Sequence, residues 1–516
     1  LFRSNQIDVT RVKRIEVLNG AASSLYGSDA IGGVINIITN EPKDVVAFSS
    51  NSSYTRKNQF SQGLNLDIAQ GKIGSYTSYK YDHSDGWQNS HLTEDGEDII
   101  ETIAPLSLGY SSNNFSQKFT YDATDQLSFY ANGGYYNRGL ERPVEREDIT
   151  GGSKYNTTYE GYNWGAGAKY KLSKRNVIQF DYSGNNYASR YKYLIENSGY
   201  LPGQYALTKL QKFHDAELKG IFGFTTNSTT VFGVDYRREV LRRPDSDLDK
   251  SVYTTSAYGQ HEVKLWNHLT GVVGVRYDHH EQTGGRFTPK VAAMYNIGNF
   301  NVRATYAAGF RAPGIDELYY HMFKKTMGTR ATISLGDENL DPERSNYYSI
   351  NMEYRTNRFS ASVTGYLNYV KNMVTSKSTK FDDLPEAEQN QLREEFPEIG
   401  DLSSTKNLSV KNYFNFEKAT VKGFEVNLNG NLFPGFTLTG NYTYAYGRGL
   451  NEGGEWQNIE RSIRHTATIT GNYTHSWSDY TLNLNLNGRL QSKVYYPGDA
   501  DGNAPGYGIW NLNTRH

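Results

Sequence analysis

The stretch Tyr480–Leu490 reads YTLNLNLNGRL and has the clearest structural pattern in this chain. Tyrosine or leucine stands at nearly every second position, and Thr, Asn and Arg fill most of the positions between. Successive side chains of a β-strand point to opposite faces, so the pattern predicts one apolar and one polar face. A tilted strand of about 9–11 residues crosses the apolar core of a bilayer. The segment Phe436–Tyr446 repeats this alternation.

From residue 43 onward the chain alternates between such strands and two kinds of connection. An ordinary antiparallel sandwich also alternates in polarity, but its strands are usually only about 5–6 residues long. Short turns facing one way and long loops facing the other are typical of a bacterial outer-membrane barrel. We predict about twenty strands, with short turns at 69–72, 122–126, 172–175, 225–228, 266–268, 297–299, 355–358, 433–435 and 476–479, and long segments near 84–112, 138–158, 190–211, 241–250, 311–344, 371–409, 448–460 and 493–507.

The composition fits a barrel better than several soluble domains. The chain has 516 residues, 14% of them aromatic, and 50 Gly against 13 Pro, which suits aromatic girdles and tight turns. Its mean hydropathy of −0.69 is compatible with a membrane, because a barrel shows only alternate residues to lipid. The formal net charge of −1 argues against nucleic-acid binding. The absence of cysteine excludes disulfides and cysteine–zinc sites.

Residues 1–42 do not share the alternating pattern. Val12–Leu18 predicts a strand, Asn19–Gly27 a turn into a short helix capped by Ser23 or Ser24, and Ile31–Thr39 an apolar strand. The residues alone therefore predict a small α/β element ahead of the barrel.

The run RIEVLNGAASSLYGSDAIGGVINIIT at Arg14–Thr39 resembles the end of the plug domain of TonB-dependent outer-membrane receptors. Asn19 and Ala21 stand where that family often has Arg and Pro. The resemblance implies an all-β transmembrane fold: a large antiparallel outer-membrane β-barrel, filled by a plug, that takes up ligand with energy from the TonB–ExbB–ExbD complex. We expect residues 1–42 to be the carboxy-terminal part of the plug and residues 43–516 a barrel that is incomplete at its carboxy terminus. About 22 strands would complete it.

Phe310-Arg311-Ala312-Pro313 and Asp337–Glu343 resemble the FRAP and NPNL boxes that flank one extracellular loop in many receptors of this family. Asp337-Glu338 replaces the Asn-Pro of the second box. The ligand expected first is haem or haemoprotein iron, because an imidazole or a tyrosinate can bind haem iron; cobalamin and a ferric siderophore are the alternatives. The predicted ligand-binding residues are Phe310, Arg311, Tyr319, Tyr320, His321, as the candidate haem ligand, and Asn339.

Acidic residues in predicted outer loops suggest a calcium site with Asp499, Asp501 and Asn503 as ligands. No complete EF-hand spacing is present, so solvated loop charge is the preferred interpretation. We expect no resident cofactor and no catalytic residue, since neither a Gly-x-Ser-x-Gly elbow nor a His-Glu-x-x-His motif occurs. The expected partners are outer-membrane lipid, the TonB complex and, as a candidate, a surface lipoprotein. A passive porin and a surface-binding barrel remain as rival functions.

Overall fold

The structure is a computed structural model, and it describes residues 8–56, 58–86, 93–94, 97–98, 108–141, 155–196, 199–325, 331–450, 454–459, 461–495 and 504–516. Within these residues, no helix combines the length and the apolar character that a membrane-spanning helix needs.

The amino-terminal element forms a sheet of its own. Strand β1 (Val12–Asn19) pairs antiparallel with β2 (Gly33–Thr39), and the single-turn helix α1 (Ser23–Tyr26) lies between them. The predicted strand–helix–strand order is therefore present. The predicted cap is wrong: Ala22 is the N-cap and no side chain caps the helix. Ser23 is fully buried and has a different role, described below.

The remaining strands are β3 to β29, and twenty of those that the structure describes are the long strands of one wall. The first half comprises β3 (Ala47–Thr55), β4 (Gln59–Gln70), β5 (Ile73–Ser84), β6 (Thr93–Glu94), β7 (Glu97–Asp98), β8 (Gly109–Asp122), β9 (Leu127–Glu141), β10 (Tyr155–Lys171), β11 (Asn176–Tyr193), β12 (Tyr205–Thr225), β13 (Ser228–Arg243), β14 (Leu248–Trp266), β15 (Leu269–His280) and β16 (Gly284–Ile297). The second half comprises β17 (Phe300–Arg311), β18 (His321–Lys325), β19 (Ala331–Leu335), β20 (Glu343–Arg355), β21 (Phe359–Lys380), β22 (Leu408–Phe433), β23 (Phe436–Leu450), β24 (Trp456–Asn458), β25 (Ser462–Ile463), β26 (His465–Ser476), β27 (Thr481–Gln491), β28 (Val494–Tyr495) and β29 (Tyr507–Arg515).

The wall is a barrel in which sequence neighbours pair antiparallel, and the strand order places β29 beside β3. Register pairing is continuous along the wall from β3 to β29. The described strands form a closed barrel. The twenty long strands of the wall agree with the predicted number. That the complete barrel has about 22 strands stays a prediction.

Strand β15 shows which face of the wall is apolar. Val273, Val275 and Tyr277 are 60%, 48% and 39% exposed, whereas the alternating Arg276 and Asp278 are 4% and 1% exposed. Apolar residues point outward and charged residues inward, the reverse of a water-soluble core. This inversion is what a lipid-facing wall around a polar lumen requires.

All nine predicted short turns lie between the expected strands, as at Asp122 and Leu127, which end β8 and begin β9. The long-segment prediction for 241–250 is wrong. There β13 ends at Arg243, a 3-10 turn covers Pro244–Ser246, and β14 begins at Leu248. The connection at 281–283 on the same side is also short. The chain also passes from β3 to β4 on this side, between Thr55 and Gln59, so the outer side combines long loops with three short connections among the described strands.

Two long outer loops fold together into a small unit. Helix α2 (Ile315–Tyr319) leads to β18 and β19, and β19 pairs parallel with the start of β22. Helix α3 (Glu386–Glu395) packs nearby, flanked by 3-10 turns at Phe381–Asp383 and Pro397–Asp401. We call β18, β19, α3 and these two turns the outer cap. Its apolar core comprises Ala331, Ile333, Phe381, Leu392, Phe396, Ile399, Leu408 and Val410.

Candidate functional site

The plug element is hydrogen-bonded to the wall where the first predicted loop motif begins. The amide of Phe310 donates to Ser23 Oγ over 3.3 Å, and the amide of Ala312 donates to Ser28 Oγ over 3.1 Å. A Cβ on Gly309 would lie 3.2 Å from Ala21 Cβ, so the two backbones are in close contact. These contacts fix the outer end of β17 against the plug element.

A buried charge network on β13 and β15 also holds helix α1. Arg276 Nη2 lies 2.7 Å from Asp235 Oδ2, and its Nε lies 2.8 Å from Asp278 Oδ1. Nη1 of the same arginine donates to the carbonyl of Leu25 over 3.5 Å, at the carboxy-terminal end of α1. A cation at that end satisfies a free helix carbonyl and opposes its negative partial charge. A cavity of about 80 Å³, partly lined by Asp29, lies beside this network.

Arg311 lies between two carboxylates and orients the following helix. Its Nη1 is 2.9 Å from Glu317 Oε2, and its Nη2 is 2.8 Å from Glu343 Oε1. Glu317 Oε2 also accepts a 2.7 Å hydrogen bond from the amide of Gly314, the N-cap of α2. The guanidinium therefore positions α2 and the residues that follow it. Phe310 is only 2% exposed, so its side chain offers no open surface.

Six side chains around the end of α2 form what we call the rim cluster. Their common feature is a cation beside a tyrosine ring: Arg243 lies 5.0 Å from the Tyr320 ring centre, Lys250 lies 4.8 Å from that of Tyr319, and Lys411 lies 4.8 Å from that of Tyr413. Arg243 also donates to Tyr320 Oη. The rings of Tyr320 and Tyr413 are stacked with their centres 6.5 Å apart. Strands β13, β14 and β22 and helix α2 thus converge here.

The charges of the rim cluster are only partly neutralised. Arg243 Nη2 lies 3.0 Å from Asp245 Oδ2, but neither Lys250 nor Lys411 has an ion pair with a described residue. Burial, followed by the charges of Glu338 and Glu281, raises the pKa of Tyr319 above its usual value. The cluster presents aromatic rings, hydroxyl groups and two ammonium groups, of which that of Lys411 donates to Tyr413 Oη over 3.3 Å.

His321 and Asn339 do not point into the rim cluster. The His321 ring stacks on Phe396 of the outer cap, 4.5 Å between centres, and its Nε2 lies 3.4 Å from Glu395 Oε2. Asn339 makes a local turn, because its amide and Nδ2 both donate to Asp337 Oδ1. Only some of the ligand-binding residues predicted from the sequence therefore lie in the rim cluster. Tyr319 and Tyr320 lie in the rim cluster, Phe310 and Arg311 support it, and the ligand-binding role of each remains a prediction.

No group of three or more His, Cys, Asp or Glu side chains suited to a metal ion occurs among the residues that the structure describes. The predicted calcium ligands Asp499, Asp501 and Asn503 lie outside those residues.

Sequence reasoning missed four members of the rim cluster: Arg243, Lys250, Lys411 and Tyr413. Arg243 is 77 positions from its partner Tyr320, and the cluster exists only because the barrel brings distant strands together. A weak local signal was present in Lys411 and Tyr413, which alternate on one strand.

Comparison with known proteins places the chain in a family. A model of the family described as "TonB dependent receptor-like, beta-barrel" matches residues 86–516, and the "TonB-dependent Receptor Plug Domain" model matches residues 2–34. The chain is 22% identical to a probable TonB-dependent siderophore receptor, PirA, of Acinetobacter baumannii, over 86% of this chain and 64% of the relative. It is 24% identical to the vitamin B12 transporter BtuB of Vibrio cholerae, over 73% and 57%. The chain thus spans about three fifths of these relatives.

Solved structures show the same fold. The ferric enterobactin receptor PfeA of Pseudomonas aeruginosa superposes with a TM-score of 0.75 at 16% identity, covering 99% of this chain and 78% of that one. The FrpB iron transporter of Neisseria meningitidis superposes with a TM-score of 0.73 at 14% identity, covering 98% and 81%. Since the barrel model alone matches far more than half of the sequence, the chain belongs to the TonB-dependent receptors of the Gram-negative outer membrane.

Proposed function

We propose that the protein takes up a scarce ferric siderophore across the outer membrane, with energy from the TonB–ExbB–ExbD complex. The observation that carries the proposal is the rim cluster, where cations lie against tyrosine rings beside the plug element. Residues 1–42 would be the last part of the plug and residues 43–516 the wall. The family membership and the relatives named as siderophore receptors support this function.

The chemistry of the cluster favours a siderophore over the other ligands considered. Iron held by catecholate or hydroxamate oxygens forms a complex rich in anionic oxygen atoms, and catecholates also offer aromatic rings. The ammonium groups of Lys250 and Lys411 attract such oxygens, and tyrosine rings stack on aromatic ones. Cobalamin is the second candidate, since relatives named as vitamin B12 transporters share 24% to 26% identity with this chain.

Haem, the ligand expected first from the sequence, has less support. Relatives are named for siderophores or vitamin B12. The ring of His321 packs against Phe396 and Glu395, which leaves it poorly placed as an axial ligand unless the outer cap moves. Tyr319 has a raised pKa, which opposes tyrosinate binding to iron.

Iron uptake by whole cells tests the transport function. Cells that produce the receptor, and are depleted of other iron receptors, would receive a radioactive ferric tris-catecholate with and without an uncoupler of the proton-motive force. We expect uptake only in energised cells. Equal uptake with the uncoupler would indicate a passive porin, and saturable binding that never becomes internal would indicate a surface-binding barrel.

Binding to de-energised cells, measured in parallel, separates transport from surface binding. De-energised cells should still bind the complex at the surface, because the rim cluster needs no energy. Deletion of the TonB gene should have the same effect as the uncoupler, and uptake that continues without TonB would contradict the proposal.

A further inference from the structure

Three cations lie side by side on the outer surface of the wall. Arg344 of β20 is paired in register with Lys371 of β21, and Lys371 is paired with Lys418 of β22. Neighbouring strands are about 4.7–4.9 Å apart, so the three Cα atoms form a row about 10 Å long. We call these residues the basic row. Like charges directly opposite each other destabilise a sheet, so a bound negative charge would stabilise a row of three cations.

The basic row points away from the lumen. On β20, Arg344 alternates with Glu343, whose carboxylate accepts the inward-facing Arg311. On β22, Lys418 lies on the same face as Phe424 and Leu428, both exposed on the apolar outside. All three cations are exposed, and none has an ion pair with a carboxylate among the residues that the structure describes.

The row lies at the upper edge of the apolar band. On β21, the exposed Tyr369 is two positions below Lys371, and Phe359 begins the strand at the other end. Ten residues at about 3.3 Å each span about 33 Å along a strand, and a tilt of 35–45° reduces this to about 25 Å of height. That height matches the apolar band of an outer-membrane barrel. Tyr369 therefore marks the outer interface, and the basic row lies at headgroup level.

An apolar groove lies below Arg344 and Lys371, on strands β20 and β21 and their neighbours β16 and β17. It has a volume of about 620 Å³ and crosses β16, β17, β20 and β21 on the lipid side. Ala293, Ala304 and Gly365 form part of its lining, and their small side chains leave room between larger neighbours. Tyr348, also in the lining, is four positions below Arg344, or about 13 Å along the strand.

We propose that the basic row and this groove form one binding site for a lipid with a phosphorylated headgroup. The phosphate would bind Arg344, Lys371 and Lys418, and one acyl chain would lie in the groove. The unpaired positive charge identifies the headgroup as anionic, and the groove identifies an acyl chain rather than free phosphate as the second part of the ligand. A bound phosphate would also relieve the repulsion within the basic row.

Native mass spectrometry of the delipidated receptor in detergent tests the headgroup part. The probes are a bisphosphorylated, multiply acylated lipid A, its dephosphorylated form and inorganic phosphate. Because each basic residue contributes to the attraction of an anionic headgroup, the triple variant Arg344→Gln/Lys371→Gln/Lys418→Gln should bind lipid A at least about tenfold more weakly than the wild type. Equal binding by this variant, or equal binding of dephosphorylated lipid by the wild type, would overturn the proposal.

A matched control removes three charges at the opposite rim. Lys171→Gln/Lys174→Gln/Arg175→Gln changes the net charge equally at the turn between β10 and β11 and should retain lipid A like the wild type. The same loss in this control would show a general charge effect and overturn the site.

The groove is tested separately with Gly365→Trp. A Cβ at Gly365 meets no atom within 4 Å, so the substitution fills the groove without a clash in the wall. We expect lipid A to bind several-fold more weakly while weak competition by inorganic phosphate is unchanged. Unchanged lipid A binding would contradict the acyl-chain part, and thermal unfolding of each variant in detergent confirms that the barrel is intact.

Discussion

The backbone amide of Phe310 donates a hydrogen bond to the hydroxyl of Ser23, 3.3 Å away and 287 positions earlier in the chain. Two positions further on, Ala312 donates to Ser28 in the same way. The plug-like run and the FRAP-like box therefore contact each other directly. The plug element contributes the two serine hydroxyls as acceptors, and the box contributes only backbone amides.

Loss of the serine hydroxyls should loosen the plug element. In Ser23→Ala/Ser28→Ala the amide of Phe310 stays buried without an acceptor, at a cost of about 1–3 kcal/mol for each unsatisfied group. We expect faster proteolysis of residues 8–39 in the folded receptor and a lower urea midpoint. Ser53→Ala on the exposed strand β3 is the control. Equal protease sensitivity in both variants would refute the role of these contacts.

Gly20 and Gly32 make a matched pair within the plug element. Gly20 has φ +83°, and a Cβ there would lie 2.3 Å from the ring of Tyr347, whereas a Cβ on Gly32 meets nothing within 4 Å. Gly20→Ala should cost at least about 1–2 kcal/mol through backbone strain, besides the clash. Gly32→Ala should be close to neutral. Urea unfolding of the folded receptor measures both, and equal midpoints would contradict this assignment.

The Arg276 network should be strongly coupled. Arg276→Met leaves the carboxylates of Asp235 and Asp278 buried without a cation, which costs about 3–5 kcal/mol. The triple variant Arg276→Met/Asp235→Asn/Asp278→Asn should recover part of that stability, because it removes the uncompensated charges. Guanidinium unfolding in detergent gives the comparison. Additive losses in the triple variant would show that the three residues do not act together.

Most of the wall could be predicted from the sequence, because alternation is a local property. Tyr480–Leu490 predicts β27 (Thr481–Gln491) to within one residue. Helix α3 was missed even though Glu386–Glu395 is rich in strong helix formers, since its exposed polar surface gives little hydrophobic periodicity. The outer cap could not be predicted at all. It depends on a parallel pairing of β19 with β22, whose residues are 77 positions apart, as at Ala331 and Leu408.

The rim cluster shows the same division. Tyr319 and Tyr320 could be predicted because they follow a recognisable motif. No local sequence motif identifies Arg243 and Lys411, which join the cluster only when the barrel forms. Phe310 and Arg311 were found for the same reason as the tyrosines, and the structure gives them supporting positions.

The function of Arg311 should depend on the forked shape of its guanidinium group as well as on its positive charge. Lysine at this position keeps the charge but cannot form two parallel contacts with Glu317 and Glu343. We expect Arg311→Lys to weaken ligand binding about three- to tenfold, as α2 and the rim tyrosines lose their fixed position. Isothermal titration with the ferric complex measures this change. If Arg311→Lys binds the ferric complex as tightly as the wild type does, the forked geometry of the guanidinium group is not needed.

Haem binding gives a further prediction. If haemin binds at all, His321→Ala should leave its Soret band unchanged, because His321 packs on Phe396. Hydrogen exchange in the outer cap of both proteins controls for indirect effects, because it shows whether the substitution unfolds the cap. A Soret band that is lost only in His321→Ala would restore haem as the leading ligand.

We claim that the rim cluster binds one anionic ferric complex, and a single titration can show whether it does. Ferric tris-catecholate, haemin and cyanocobalamin would each be titrated into the receptor and into Lys250→Gln/Lys411→Gln, with Lys171→Gln/Lys174→Gln as the charge control. We predict that the wild type and the control bind the ferric complex most tightly and that the rim variant binds it at least about tenfold more weakly. Tighter binding of haemin or cyanocobalamin, or an unchanged affinity of the rim variant for the ferric complex, would contradict the claim.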